Sequence, residues 1–112
     1  MAEPRIRAIA DSNAVDAYPG VTRRTLASGD RLTLMRIEVA GGATVPEHKH
    51  MHEQAGTVVS GRISIRLGDV TTVCGAGDAY LIPGDLPHEV VAIEDSVLVE
   101  AFSPVREEYA NG

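Results

Sequence analysis

Three of the four histidines in this chain lie at alternate positions within five residues, a spacing that suits a metal site. They are His48, His50 and His52, in the stretch PEHKHMHEQ, and Gln54 continues the alternation. On a strand, His48 and His50 leave the same face about 6.6 Å apart, so both imidazoles can converge on one ion at about 2.1 Å. An extended strand would carry Gln54 about 20 Å from His48. A third residue can therefore join only if the chain turns after His50, and parity alone allows either His52 or Gln54 to return.

The segments around these histidines have the alternation of β-strands. The stretch RISIRLGD places Ile63, Ile65 and Leu67 on one face. Further short apolar runs, at TVVSG, DAYLIP, HEVVAI and SVLVEAF, are separated by glycine-rich or acidic turns. In RLTLMRIEV the alternation changes parity, which predicts a bulge or a strand covered on both faces. Many short strands at close spacing predict an all-β sandwich or barrel.

The composition predicts one globular domain whose partners are neither nucleic acids nor membranes. A length of 112 residues suits a single core, and a net charge of -6 disfavours binding to nucleic acid or anionic lipid. No apolar run approaches the roughly 18 residues of a membrane helix, and no secretory signal is apparent. The single cysteine, Cys74, fits a cytoplasmic location. The arginine pairs Arg5/Arg7 and Arg23/Arg24 are interpreted as solvated strand faces.

The fourth histidine, His88, lies in IPGDLPHEVV, and the two histidine-containing segments together resemble the two motifs of the cupins. In the first motif a glycine, two histidines, an acidic or amide ligand and a closing glycine correspond to Gly42, His48, His50, Gln54 and Gly61. The second motif corresponds to Gly77, Pro83 and His88. The resemblance implies an all-β, single-domain cupin over residues 1–112. This fold is a double-stranded β-helix, or jelly-roll barrel, with its core at about residues 30–103.

The same resemblance implies a metal site in which His48, His50, Gln54 and His88 are the ligands and His52 is not. One divalent transition metal per chain is expected, and the ligand set suits Fe, Mn, Ni, Zn, Co or Cu about equally. Most cupins have glutamate where this chain has Gln54. A neutral amide leaves the full 2+ charge on the metal, which makes it a stronger Lewis acid and a better partner for an anionic substrate.

The C-terminal stretch LVEAFSPVREEY is the second unusual segment. Glu100 and Phe102 share parity with Leu98, and a carboxylate in an apolar strand is costly unless it is paired or used. The stretch resembles a signature of the KdgF-like cupins, Asp-x-Phe-Ser-Pro-x-Arg-Glu, although Glu100 stands where those relatives have aspartate. With HEQ and GVTRR, the similarity spans about residues 19–109. Those relatives convert 4,5-unsaturated uronates, released from pectin or alginate, to linear keto-sugar acids.

This second resemblance implies a metal-dependent enzyme that opens or isomerises an unsaturated uronate or similar anionic sugar acid, and a homodimer. Glu100 would act as general acid/base, Arg106 would hold the carboxylate, and Phe102 would shape the pocket wall. Two rival functions use the same scaffold: an iron- or copper-dependent dioxygenase, and a non-catalytic, metal-dependent module that binds sugar acids. For Glu100 and Arg106 the alternative to a catalytic role is a structural ion pair.

Overall fold

The computed structural model describes residues 3–110, so residues 1–2 and 111–112 of the predicted domain lie outside the described residues. Two single turns of 3-10 helix, Ile9–Asp11 and Glu107–Tyr109, flank the strands. Within the described part no helix is long and apolar enough to cross a membrane. The strands of this part are β1 (Val15–Tyr18), β2 (Val21–Ser28), β3 (Thr33–Val39), β4 (Thr44–His48), β5 (Glu53–Ser60), β6 (Arg62–Leu67), β7 (Val70–Gly75), β8 (Ala79–Ile82), β9 (His88–Ala92) and β10 (Ser96–Ser103).

The strands form two antiparallel sheets. The larger has the order β1-β2-β3-β10-β5-β8 and the smaller the order β4-β9-β6-β7. Strands distant in sequence pair with each other, so that β10 lies between β3 and β5. The all-β jelly-roll fold predicted from the alternation and the motifs is confirmed.

Apolar side chains fill one end of the space between the sheets. Ile63 and Ile65 of β6 are 0% and 2% exposed, as their alternation predicted. They belong to a buried cluster with Val58 of β5 and Val39 of β3. Burying each of these side chains contributes about 1.5–3 kcal/mol, so this end of the barrel supplies much of the driving force for folding.

The irregularity predicted for RLTLMRIEV lies in the neighbouring strand. In β3, Thr33, Met35 and Val39 are all buried and share one parity, while Leu34 on the other face is only half-buried. The bulge falls in β2, where the pairing with β3 shifts register between Thr25 and Ala27. The second alternative predicted for this stretch, a strand covered on both faces, agrees with the structure, because every residue of β3 is buried or half-buried.

Candidate metal centre

Three histidines from two segments of the chain converge at the other end of the barrel. His48 ends β4 and pairs with His88, which begins β9. His50 follows β4, and the chain then bends before β5 begins at Glu53. One nitrogen of each imidazole lies within 4.8 Å of those of the other two, so the three histidines could bind one metal ion.

Hydrogen bonds to the backbone set the tautomer of each of these imidazoles. In all three, Nδ1 lies within hydrogen-bond distance of a carbonyl oxygen, which can only accept, so Nδ1 carries the proton and Nε2 is left with a free lone pair. Such bonds orient histidines that bind metals. The carbonyl acceptors for His48, His50 and His88 belong to Pro46, His52 and Leu86, at 2.9, 3.0 and 2.8 Å.

The Nε2 atom of His88 is buried and has no hydrogen-bond partner among the described residues. An unpaired buried acceptor costs about 1–3 kcal/mol, and protonation does not relieve this cost, because burial lowers the pKa of His88 to about 4. A bound cation would use this lone pair. The orphaned nitrogen is therefore direct structural support for a metal at this position.

Gln54 projects from β5 beside the histidines and is 4% exposed. Its Nε2 donates to Oε2 of Glu100 at 2.7 Å, which turns its Oε1 towards Nε2 of His50 at 3.0 Å. Because Nδ1 of His50 carries the proton, these two facing atoms are both acceptors. Burial, and then the charge of Arg106, lowers the pKa of His50 and disfavours its doubly protonated form. A cation shared by both atoms resolves the conflict, so the residues present fit a divalent metal.

His52 lies in the bend and takes a different role. Its side chain is half-buried, and its ring lies 5.5 Å from that of His50. Its carbonyl oxygen, rather than its imidazole, contributes to the site by binding Nδ1 of His50. Of the two residues that parity allowed to return after the turn, Gln54 is the one that enters the barrel.

Glu100 lies within the barrel on β10 and is 7% exposed. Its Oε2 accepts hydrogen bonds from the Tyr80 hydroxyl at 2.5 Å and from the Gln54 amide. Burial raises the pKa of Glu100, and these two hydrogen bonds oppose that rise. Burial also raises the pKa of Tyr80, which keeps its hydroxyl protonated as a donor. A chain of contacts therefore runs from Tyr80 through Glu100 to the amide of Gln54.

Gly56 makes room for this chain of contacts. A Cβ atom at this position would lie 2.4 Å from ring atoms of Tyr80, closer than any real contact allows. The tyrosine hydroxyl reaches Glu100 only because β5 has no side chain here. Sequence reasoning missed both Gly56 and Tyr80, since their contact depends on the pairing of β5 with β8.

Arg106 follows β10 and is 9% exposed. Its Nε and Nη2 atoms both donate to Oε1 of Glu108, at 2.9 and 2.6 Å. The ion pair between Glu100 and Arg106 that the sequence left open is thus absent among the described residues. The guanidinium also lies 4.9 Å from the centroid of the Phe102 ring, and this ring is 5.6 Å from that of His50. Phe102 therefore bridges the arginine and the histidines.

All seven candidate residues line one cavity of about 280 Å³, close to the lower limit of about 300 Å³ for small-molecule sites. The cavity also contacts Arg23 and Lys49. The interpretation of Arg23 as a solvated residue is wrong, because it shares parity with the buried Val21 and Thr25 and so faces the barrel. That parity was the available signal. The predicted site residues on the cavity wall are His48, His50, Gln54, His88, Glu100, Phe102 and Arg106.

The chain belongs to the cupin family, since the cupin domain matches residues 35–102. An RmlC-like cupin from Shewanella frigidimarina superimposes with a TM-score of 0.90 at 27% identity, covering 96% of each chain. The structure of KdgF from Halomonas sp. gives a TM-score of 0.89 at 29% identity, covering 95% of this chain and 98% of that one. These comparisons confirm a small cupin that resembles KdgF.

A curated relative carries the name of an enzyme. H2HPP isomerase of Bacillus subtilis is 36% identical over 84 residues, which are 67% of this chain and 35% of that protein. The match thus spans about a third of the length of this relative.

Proposed function

We propose that this protein is a metal-dependent enzyme that opens or isomerises the ring of a 4,5-unsaturated uronate or a similar anionic sugar acid. The observation that carries the proposal is the single cavity, which contains the three histidines, a buried carboxylate and a buried guanidinium. The likeness to KdgF over nearly the whole chain supports it, and the isomerase relative supports the reaction class.

We propose one divalent transition metal per chain, held by His48, His50, His88 and Gln54. The facing acceptors at His50 and Gln54 and the orphaned nitrogen of His88 support this ligand set. When bound, the metal would supply Lewis acidity, holding oxygens of the substrate and stabilising developing negative charge. The donors suit Fe, Mn, Ni, Zn, Co or Cu.

The other cavity residues would bind the substrate and move a proton. Arg106 would help to hold the carboxylate of the sugar acid, since its planar group matches that anion. Glu100 would transfer a proton as the ring opens, and its burial keeps this proton away from bulk water. Phe102, packed between His50 and Arg106, would form the wall against which the sugar ring lies.

The conjugated double bond of an unsaturated uronate absorbs in the ultraviolet, so loss of this absorbance follows the reaction. We expect faster loss with the protein than without it, abolition by a chelator and recovery on adding a divalent metal. No acceleration with any unsaturated uronate would contradict the proposal. Calorimetric binding without turnover would favour the binding module, and oxygen uptake with Fe(II) would favour the dioxygenase.

The homodimer and the cytoplasmic location stay predictions. The homodimer is expected from the resemblance to the cupins and the location from the single cysteine. Light scattering coupled to size-exclusion chromatography measures the oligomeric state, and a mass of one chain would contradict the first expectation. Fractionation of the source cells, with detection by antibody, tests the second.

A further inference from the structure

Arg23 is a cavity residue to which neither the motifs nor the proposed reaction assigns a role. It lies on β2 with Val21 and Thr25 on its own face, and both of these neighbours are buried. Its guanidinium carbon is 4.4 Å from the centroid of the Tyr109 ring. The side chain is therefore held against the last turn of the described chain, at the edge of the cavity.

One nitrogen of this arginine lacks an acceptor. Nη1 of Arg23 is buried and has no hydrogen-bond partner within the described residues. Leaving a charged donor buried and unpaired is costly, more so than for a neutral group. Because the side chain lines the cavity, an oxygen atom of a bound ligand is a natural acceptor for this donor.

The cavity offers Arg23 no carboxylate of its own. Glu100 is the acidic residue on the cavity wall, and its Oε2 is already engaged by Tyr80 and Gln54. Glu108 lies nearby but accepts from Nε and Nη2 of Arg106. Among the described residues no carboxylate accepts a hydrogen bond from Nη1 of Arg23, so the anion of a bound ligand could take this place.

Arg106 contacts the same aromatic ring as Arg23 and is less available for binding. Its guanidinium carbon is 4.3 Å from the centroid of the Tyr109 ring, and that of Arg23 is 4.4 Å from it. Glu108 occupies the Nε and Nη2 side of Arg106, which is one of the faces that could bind a carboxylate in bidentate fashion. By contrast, no described residue accepts a hydrogen bond from Nη1 of Arg23.

We propose that Arg23 is the principal carboxylate-binding residue of the cavity, with Arg106 as the second arginine on the cavity wall, and that the two select small carboxylic acids over their neutral analogues. This proposal rests on the proposed function, because it names the residue that recognises the acid group of the sugar. A planar guanidinium suits a planar carboxylate, and charge-assisted hydrogen bonds are about twice as strong as neutral ones.

The alternative role for Arg23 is packing. A cation–π contact with Tyr109 contributes about 0.5–1 kcal/mol at an exposed site, and it would help to hold the C-terminal turn whether or not a ligand binds. A packing role predicts that substitution of Arg23 changes stability. It does not predict that substitution changes the preference of the protein for a charged ligand.

The test is calorimetric titration of the purified, metal-loaded protein with D-galacturonate and with its neutral methyl ester, neither of which has the double bond needed for turnover. We expect wild type to bind the acid roughly tenfold to a hundredfold more tightly than the ester. Arg23→Gln should remove most of that preference. Arg23→Lys should keep part of it, because the charge remains while the planar group is lost.

Arg24→Gln is the matched control, because it removes the same charge from the next residue of β2. Arg24 also has a buried nitrogen without a partner, Nε, but it points away from the cavity and its Nη1 donates to Ser12. We expect Arg24→Gln to keep the wild-type preference for the acid. Thermal unfolding of each variant shows whether it is folded, and Arg23→Lys provides the test if Arg23→Gln is not.

Three results would overturn the proposal. Wild type could bind the acid and the ester equally, or Arg23→Gln could prefer the acid as strongly as wild type does. The third is that Arg23→Gln and Arg24→Gln lose the preference for the acid to the same extent. The titration involves no turnover, so its outcome is separate from that of the proposed function. If the protein binds the acid through Arg23 but does not accelerate loss of the ultraviolet absorbance, the anion site is supported and the proposed reaction is contradicted. If the protein turns over an unsaturated uronate but shows no preference that depends on Arg23, the reaction is supported and the role of Arg23 is contradicted.

Discussion

The two ends of the barrel share strand β5, yet their inward side chains have different requirements. At one end, β5 contributes Val58 and β6 contributes Ile63, which need only to leave water. At the other end, β5 contributes Gln54 and β10 contributes Glu100, which are also buried but need partners. The apolar end can form by packing alone, whereas the polar end requires a particular register before its hydrogen bonds exist.

The apolar end therefore contributes mainly to stability, and the polar end contributes mainly to binding and chemistry. Apolar packing stabilises the chain and tolerates apolar exchanges that conserve volume, and a lost contact there lowers the free energy of unfolding. The polar end holds a carboxylate, an amide and three imidazoles whose orientations depend on one another. A change there should alter binding and chemistry more than it alters the unfolding transition.

Replacing Glu100 by Gln should have the largest effect on the proposed reaction. The change keeps the shape of the side chain and removes the proton transfer, so we expect kcat to fall by roughly 10²–10⁴-fold. Loss of the ultraviolet absorbance of an unsaturated uronate gives the rate. Metal content, measured on the same sample, separates a lost proton carrier from a displaced Gln54. Full activity in Glu100→Gln would show that this carboxylate is structural.

Replacing Ile63 by Ala is the counterpart at the apolar end. Ile63 is 0% exposed, and truncation of such a side chain lowers the free energy of unfolding by about 2–5 kcal/mol. Chemical denaturation measures the loss. The folded fraction should keep the metal content of wild type, because Ile63 does not line the cavity that contains the metal candidates. Loss of metal from folded Ile63→Ala would mean that the two ends are not independent.

Replacing Tyr80 by Phe should lower the affinity of the site for its metal, although Tyr80 is not a proposed ligand. The change deletes one donor to Glu100 and leaves that carboxylate freer to rotate away from Gln54. Loss of an indirect hydrogen bond of this kind typically lowers metal affinity by about 10–100-fold. Competition with a chromophoric chelator measures the affinity. An unchanged affinity would indicate that Gln54 is oriented by other contacts.

The smallest effect is expected for His52→Ala, which makes it the control for Gln54→Ala. His52 binds Nδ1 of His50 through its carbonyl oxygen, which alanine keeps, and at the metal site the substitution removes only an edge-on ring contact with His50. Gln54→Ala removes an oxygen that faces His50. Metal titration of both variants should therefore show a clear loss for Gln54→Ala and little for His52→Ala. The reverse order would mean that the ligand assignment after the turn is wrong.

How far the sequence predicts each end depends on the range of the interactions involved. Alternation within one strand is local, so the sequence alone predicted the inward face of β6 and the placement of His48 and His50 on one face. The partners of Glu100 were not, because Gln54 and Tyr80 lie 46 and 20 residues away and meet it only through the sheet register. Arg23 was misinterpreted because an arginine was assumed to face solvent, although its parity with Val21 pointed inward.

The measurement that tests the account most directly is the metal content of the protein, determined by elemental analysis after purification without chelators. Wild type should contain about one divalent metal per chain, since three imidazole lone pairs and one amide oxygen converge. His48→Ala combined with His88→Ala should contain none, while Ile63→Ala, although less stable, should retain it. Metal retained in the double histidine variant would contradict the site.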